Sequence, residues 1–215
     1  MAHPELPEIV SREEWRAARE ELLAKEEAVA RARDALGAAR RSLPMVEVDK
    51  EYVFEGGDGK ALLLDLFGGR GQLVVHHFMF APEWRSGCRC CAAFLDQVGH
   101  LAHLDACGTS FAVVSRAPFP RILPFKARMG WTVPWYSSYD GDFNGDFEAT
   151  VGQPGGLAER PGVSCFLREG DRVFHTYSVF DRELDRLGPA TTLLDLTALG
   201  RPDGVRLRYH DEYEY

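Results

Sequence analysis

The sequence predicts an α/β domain, a sheet with parallel members and helices packed on it, preceded by one long helix. Three observations lead there. Residues 11–43 hold a helical pattern without strand chemistry. From residue 51 onward short β-rich runs alternate with helical patterns in the order β, α, β, α, β, β, α, an alternation that implies parallel strands covered by helices. The run Leu73-Val74-Val75-His76-His77-Phe78-Met79-Phe80 is apolar almost throughout and of strand length, as a central strand covered on both faces should be.

Taken in order, Ser11 followed by Arg12, Glu13 and Glu14 reads as a capped helix start with acidic residues in the first turn. The helix runs toward Leu43 and stops before Pro44. Trp15, Leu22, Val29, Leu36 and Leu43 recur every seven residues, with Ala18, Lys25, Ala32 and Ala39 three positions later, which makes a thin coiled-coil seam. At 1.5 Å per residue this helix is about 45 Å long, more than the remaining domain spans. The seam therefore either straps across its own domain or meets a second copy in a homodimer. Tyr52, Val53 and Phe54, a glycine-rich turn at 56–59, and the run 62–67 read as paired short strands. After the central run come a loop at 81–87, a helix over 88–106, a strand over 109–115, a helix over 119–129 and an aromatic strand over 132–139. Runs 163–167 and 172–178, separated by Glu169-Gly170-Asp171, read as a hairpin, and a broken helical pattern covers 182–199.

The chain has 215 residues, 45% of them apolar, enough for one substantial core. Its formal charge of −8 argues against a phosphate-binding surface, so nucleic acid is not an expected partner. No apolar run reaches the length of a membrane span, and the first residues lack the basic start and apolar stretch of a secretory signal. No membrane association is expected, and the expected compartment is the cytoplasm. Disulfide staples are rare there, and five cysteines are an odd set, so a close cysteine pair points to redox or metal chemistry.

Such a pair stands in Cys88-Arg89-Cys90-Cys91, where the central strand ends and its helix begins. Cys88 and Cys91 are one helical turn apart, the spacing two sulfurs need to alternate between dithiol and disulfide. A thiol at a helix start faces unsatisfied backbone N–H groups that favour thiolate, and Arg85 and Arg89 add positive charge. Cys88, the more N-terminal, is expected to be the nucleophile and Cys91 the resolving thiol, with Arg89 stabilising the reduced form. Cys90 is a bystander or a third ligand. Cys107 and Cys165 are expected to be buried like small apolar residues. The bland alternative is a cluster that is merely structural.

Several segments resemble a bacterial thioredoxin-like family, the domain of unknown function numbered 899, whose members are described as predicted dithiol-disulfide oxidoreductases. They are His77-Phe78-Met79-Phe80-Ala81-Pro82 with Trp84, Gly87 and Cys88; Val114-Ser115-Arg116-Ala117-Pro118; the segment 125–138 reading FKARMGWTVPWYSS; Asp142-Phe143-Asn144-Gly145-Asp146-Phe147; Phe174-His175-Thr176-Tyr177-Ser178; and 194–201 reading LDLTALGR. The resemblance covers nearly the whole chain. It implies a thioredoxin-like fold over 46–203, between a helical extension at 1–45 and a tail at 204–215. It also implies Cys88 and Cys91 as the redox pair, no cofactor beyond their disulfide, and as partners a disulfide or thiol substrate and a cellular reductant. The chain departs from familiar thioredoxins in carrying Trp84 four residues before the nucleophile, in the additional Cys90, and in placing Gly162-Val163-Ser164 where those proteins have a cis-proline.

Two other chemistries compete. Pro82-Glu83-Trp84-Arg85-Ser86-Gly87-Cys88 is one residue short of the peroxiredoxin pattern of Pro, three residues, Thr or Ser, two residues, Cys. Peroxide reduction at Cys88, with Arg116 as oxyanion partner and Cys91 capturing the sulfenic acid, is the first. The second is a soft-metal module for copper(I) or zinc built from Cys88, Cys90, Cys91 and His77, with His76 and Met79 nearby. Adjacent histidines on a strand point to opposite faces, so one of the two at most can join such a site. The aromatic residues Trp131, Trp135, Tyr136, Tyr139, Phe143 and Phe147 either wall a small-molecule pocket or belong to the core.

Overall fold

A computed structural model describes residues 6–201 and 206–214. Helix α1 (Arg12–Arg41) starts at a capping box, in which the Ser11 hydroxyl accepts from the Glu14 N–H and the Glu14 carboxylate accepts from the Ser11 N–H. No residue of α1 is buried. A short strand β1 (Val46–Glu47) follows, then the hairpin β2 (Val53–Gly56) and β3 (Gly59–Leu62). The expected strand at 62–67 is instead a 3-10 turn over Asp65–Phe67 whose Leu66 and Phe67 plug the core, because Gly68, at φ 54°, ends the segment in the left-handed region.

The central strand is β4 (Gln72–His77). The helix expected over 88–106 breaks into α2 (Arg89–Leu95) and α3 (Ala102–Asp105), with Gly99 at φ 74° between them. Cys107, expected to be buried, falls in the turn after α3 and is exposed. Strand β5 (Thr109–Ser115), helix α4 (Phe119–Arg128) and strand β6 (Trp135–Ser137) follow, and the aromatic strand is thus shorter than its pattern. Helix α5 (Phe143–Asp146) precedes a separate hairpin, β7 (Thr150–Gln153) and β8 (Gly156–Glu159), in a glycine-rich stretch without strand periodicity. The expected last hairpin is present as β9 (Gly162–Glu169) and β10 (Arg172–Phe180), and the broken helical pattern resolves into a 3-10 segment over Asp181–Arg186 and helix α6 (Pro189–Leu194).

The eight-stranded sheet has the order β1-β10-β9-β4-β5-β6-β2-β3. Strands β4, β5 and β6 are mutually parallel, whereas β9 runs antiparallel to β4 on its other side and β10 antiparallel to β9. The four-strand order β10-β9-β4-β5, with α2 following β4 and α4 following β5, is the thioredoxin-like arrangement.

Side-chain alternation along β4 sorts the core into two layers. Leu73 and Val75 face Phe54, Phe67, Phe143 and Phe166 on one side. On the other, Phe78 and Phe80 pack with Cys91, Leu95, Ile122, Phe125 and Trp135 beneath α2 and α4. Of the aromatic residues of 131–147, Trp131 and Trp135 join one layer and Tyr136, Phe143 and Phe147 the other, whereas Tyr139 is exposed. Two clefts of about 390 and 640 Å³ border Tyr52 and Lys50, one reaching His175 and the other Tyr139; no cysteine lines either. Among the described residues no helix is long and apolar enough to cross a membrane.

Candidate functional site: a dithiol at the end of the central strand

After β4 the chain must turn from a buried strand into α2, and several contacts fix that turn. The Phe78 N–H donates to the Val114 carbonyl at 2.9 Å, and the Cys88 N–H donates to the Met79 carbonyl at 2.9 Å. The Trp84 N–H closes onto the Ala81 carbonyl, while Arg121 of α4 donates to the carbonyls of Pro82 and Trp84. Gly87 has no room for a side chain, since a Cβ there would lie 2.4 Å from the Phe78 ring and 2.9 Å from that of Phe125. Cys88 is consequently set at the N-cap of α2 with extended backbone, φ −69° and ψ 136°.

The two sulfurs of the spacing argument meet. Cys88 is half-buried and Cys91 is 1% exposed. The Cys91 thiol hydrogen-bonds the Cys88 sulfur, and the backbone N–H groups of Cys91 and Cys90 converge on that sulfur too; these pull the Cys88 pKa down to about 6 against the opposing effect of burial. Burial pushes Cys91 well above the ordinary thiol value, and the neighbouring Cys88 sulfur adds to that; the Met79 N–H reaches the Cys91 sulfur at 3.4 Å. The pair thus sets a half-buried Cys88, whose thiolate is favoured, against a buried Cys91, whose thiol is favoured. Cys90 is exposed, and its thiol also hydrogen-bonds the Cys88 sulfur, adding the smallest of the effects that lower its pKa.

The surrounding residues distribute differently from their places in the sequence. Trp84 packs against the layer that holds Cys91, and Arg85 is exposed. Arg89 turns toward the C-terminal segment, its guanidinium 4.9 Å from the Tyr209 ring centre and 3.3 Å from the Glu212 carboxylate. Arg116, considered above as an oxyanion partner, is held by Glu159 at 2.7 Å, with that carboxylate almost fully buried.

Ser164 lies in the opposite layer. All described peptide bonds are trans, and the Ser164 hydroxyl joins a polar chain that runs from His77 (2.8 Å) through Ser164 to Ser178 (2.7 Å) and His175 (2.7 Å). A bulge between His175 and Tyr177 lets His175 and Ser178 share a face. Burial holds His77 down to about 3, so its ring is neutral. Its Nδ1 has no partner, and a bare lone pair there costs less than an orphaned N–H, so Nε2–H donates to Ser164, Ser164 to Ser178, and Ser178 to His175. His76 faces the other way, 4.7 Å from the Phe94 ring, and neither of its nitrogens has a partner among the described residues. The set expected for a soft metal is thus split, because His77 stacks on Phe143 across the sheet from the cysteine layer. Among the described residues no three His, Cys, Asp or Glu side chains are grouped to hold a metal ion.

The residues that sequence reasoning missed lie in the segment set aside as a tail; its proposed start at 204 falls outside the described residues. Tyr209 is 4% exposed and joins the core layer beneath α2 and α4. Its hydroxyl donates to the Gly87 carbonyl and lies 3.2 Å from the Ser86 hydroxyl. The Arg89 and Arg128 guanidiniums both lie over its ring. Arg128 pairs with Asp211 at 2.7 Å, and Asp96 of the α2 C-cap binds both His210 (2.8 Å) and the Trp131 indole (2.7 Å). Residues 209–212 therefore clasp α2, α4 and the turn before Cys88 together. The mixture of tyrosines with paired charges in 208–215, unlike an ordinary solvated tail, is the signal the sequence held.

Sheet order and the position of the dithiol define a thioredoxin-like protein. Over residues 4–213 the chain matches the family described as bacterial protein of unknown function (DUF899), and it belongs to that family. No curated protein matches its sequence. Among solved structures it is similar to a cysteine variant of Xanthomonas campestris peroxiredoxin Q, with 17% identity over 66% of this chain and 90% of that one and a TM-score of 0.48. Peroxidoxin BcpB of Mycobacterium tuberculosis gives 17% identity, 64% and 85% coverage and a TM-score of 0.49. A candidate thiol:disulfide interchange protein DsbE of Chlorobium tepidum gives 18%, 74% and 100%, and 0.44.

Proposed function

We propose that the protein is a thiol-disulfide oxidoreductase in which Cys88 is the nucleophile and Cys91 the resolving thiol. The observation that carries this reading is the opposed ionisation of two touching sulfurs, one half-buried and pulled down to about 6, the other buried and pushed up. In the reducing direction the Cys88 thiolate attacks a substrate disulfide, forming a mixed disulfide and releasing one substrate thiolate. Cys91 then loses its proton and attacks the Cys88 sulfur, releasing the second thiolate and leaving the Cys88–Cys91 disulfide. The substrate gains two electrons and the pair loses two, which a dithiol reductant restores. Cys90, exposed beside the pair, is outside this cycle.

Differential alkylation with mass spectrometry, before and after exposure to oxidised glutathione, tests the proposal. A Cys88–Cys91 disulfide is expected, together with a trapped glutathione adduct at Cys88 in Cys91→Ala. A disulfide involving Cys90, or Cys88 unmodified while the others react, rejects the assignment. The same variants challenged with hydrogen peroxide separate disulfide exchange from peroxidase chemistry, since rapid Cys88 sulfenic acid formation with slow glutathione exchange would favour the latter.

A further inference from the structure

We infer that α1 is the interface of a homodimer in which two copies of the helix pair antiparallel. Along its seam Trp15, Leu22, Val29, Leu36 and Leu43 are 49%, 48%, 51%, 49% and 50% exposed. Exposure that even leaves about half of every seam side chain open from one end of the helix to the other, and no residue of the helix is buried by the described residues. The helix meets its own sheet at its C-terminal end, where Arg40 lies 5.1 Å from the Tyr177 ring centre.

The seam itself argues for a second copy. Trp15, Val29 and Leu36 are followed three positions later by Ala18, Ala32 and Ala39, so that in an antiparallel pair large layers face small ones and the helices approach closely. The exception, Lys25, fixes the orientation. A parallel pair would set Lys25 against its own copy within the seam, while an antiparallel pair sets it beside an apolar residue and lets its ammonium reach solvent. Charge agrees, since residues 12–27 carry six acidic and four basic side chains and residues 28–41 carry one acidic and four basic. Antiparallel pairing brings the acidic half of one helix to the basic half of the other at both ends. A contact strip ~45 Å long and ~10 Å wide covers roughly 900 Å² over the two partners, close to the ~1,000 Å² at which specific interfaces begin.

Sedimentation equilibrium of the full chain at 50 mM salt is the test. The wild type is expected at twice the 24.1 kDa chain mass, and Leu22→Glu with Leu36→Glu is expected to be monomeric with an unchanged near-UV spectrum. Orientation is read from charge reversal. Glu21→Lys with Glu26→Lys, and separately Arg33→Glu with Arg40→Glu, which flank the seam, should each weaken dimerisation at least tenfold, and the four changes combined in one chain should restore it. A wild type that remains monomeric at 100 µM, or a dimer indifferent to the two glutamates, overturns the interface. A dimer that both half-reversals leave unchanged overturns the antiparallel arrangement.

Discussion

His76 offers the sharpest test of the physical reasoning, because a fully buried imidazole with neither nitrogen bonded can only be neutral, and keeping it neutral carries a pH signature. Burial holds both His76 and His77 near 3, against an ordinary value of 6.5. The unfolded chain takes up two protons as pH falls through 6.5 while the folded chain takes up neither, so stability is full above 6.5 and declines as the solution is acidified toward 3. Between pH 6.0 and 5.0 each histidine should remove about 1 kcal/mol, or about 2 kcal/mol together. His175, held down chiefly by partial burial, adds a smaller loss of the same sign. The Cys88 thiolate contributes mostly above its value of about 6, and the paired carboxylates mostly lower, so both add only smaller losses of the same sign, which the comparison with His76→Leu cancels. His76→Leu removes the orphaned nitrogens and fills similar space. It should leave stability at pH 7.5 unchanged or raised by about 1 kcal/mol, and it should cut the loss between pH 6.0 and 5.0 by about half. Urea unfolding followed by tryptophan fluorescence at the two pH values measures both quantities. A His76→Leu protein with the acid sensitivity of the wild type would refute the argument.

Three further outcomes are expected. Gly87→Ala drives a methyl group into the Phe78 and Phe125 rings and should cost about 1–3 kcal/mol in thermal or urea unfolding, while a neutral result would mean that the turn before Cys88 is freer than described. Tyr209→Phe keeps the ring packing but loses the hydroxyl bond to the Gly87 carbonyl; it should cost about 1 kcal/mol and speed hydrogen exchange at residues 86–88, measured by mass spectrometry. The rate of iodoacetamide alkylation at Cys88 should rise with pH to a midpoint near 6, and Cys91→Ala, by removing the largest stabilising contact, should move that midpoint upward.

Much of the fold was legible because it rests on local chemistry. The capping box at Ser11 and Glu14, the apolar run of β4 and the turn at Glu169-Gly170-Asp171 each announce themselves within a few residues. The Cys88–Cys91 contact was legible for the same reason, as it spans a single helical turn. What escaped depends on distant partners. Ser164 stands at a suggestive place along the chain, yet strand alternation points it away from the cysteines and toward His77. Arg89 and Arg116 read as free cations near a thiolate, but Glu212 and Glu159 hold them. The clasp of Tyr209 on the turn before Cys88 joins residues 122 positions apart, and no periodicity encodes such a meeting.

That separation also has a temporal side. A ribosome adding on the order of 5–20 residues per second finishes the cysteine turn roughly 6–24 s before it delivers the tyrosine that ties it down. Through that interval the turn that seats Cys88 has to hold its shape without the phenol hydroxyl that bonds the Gly87 carbonyl in the finished molecule.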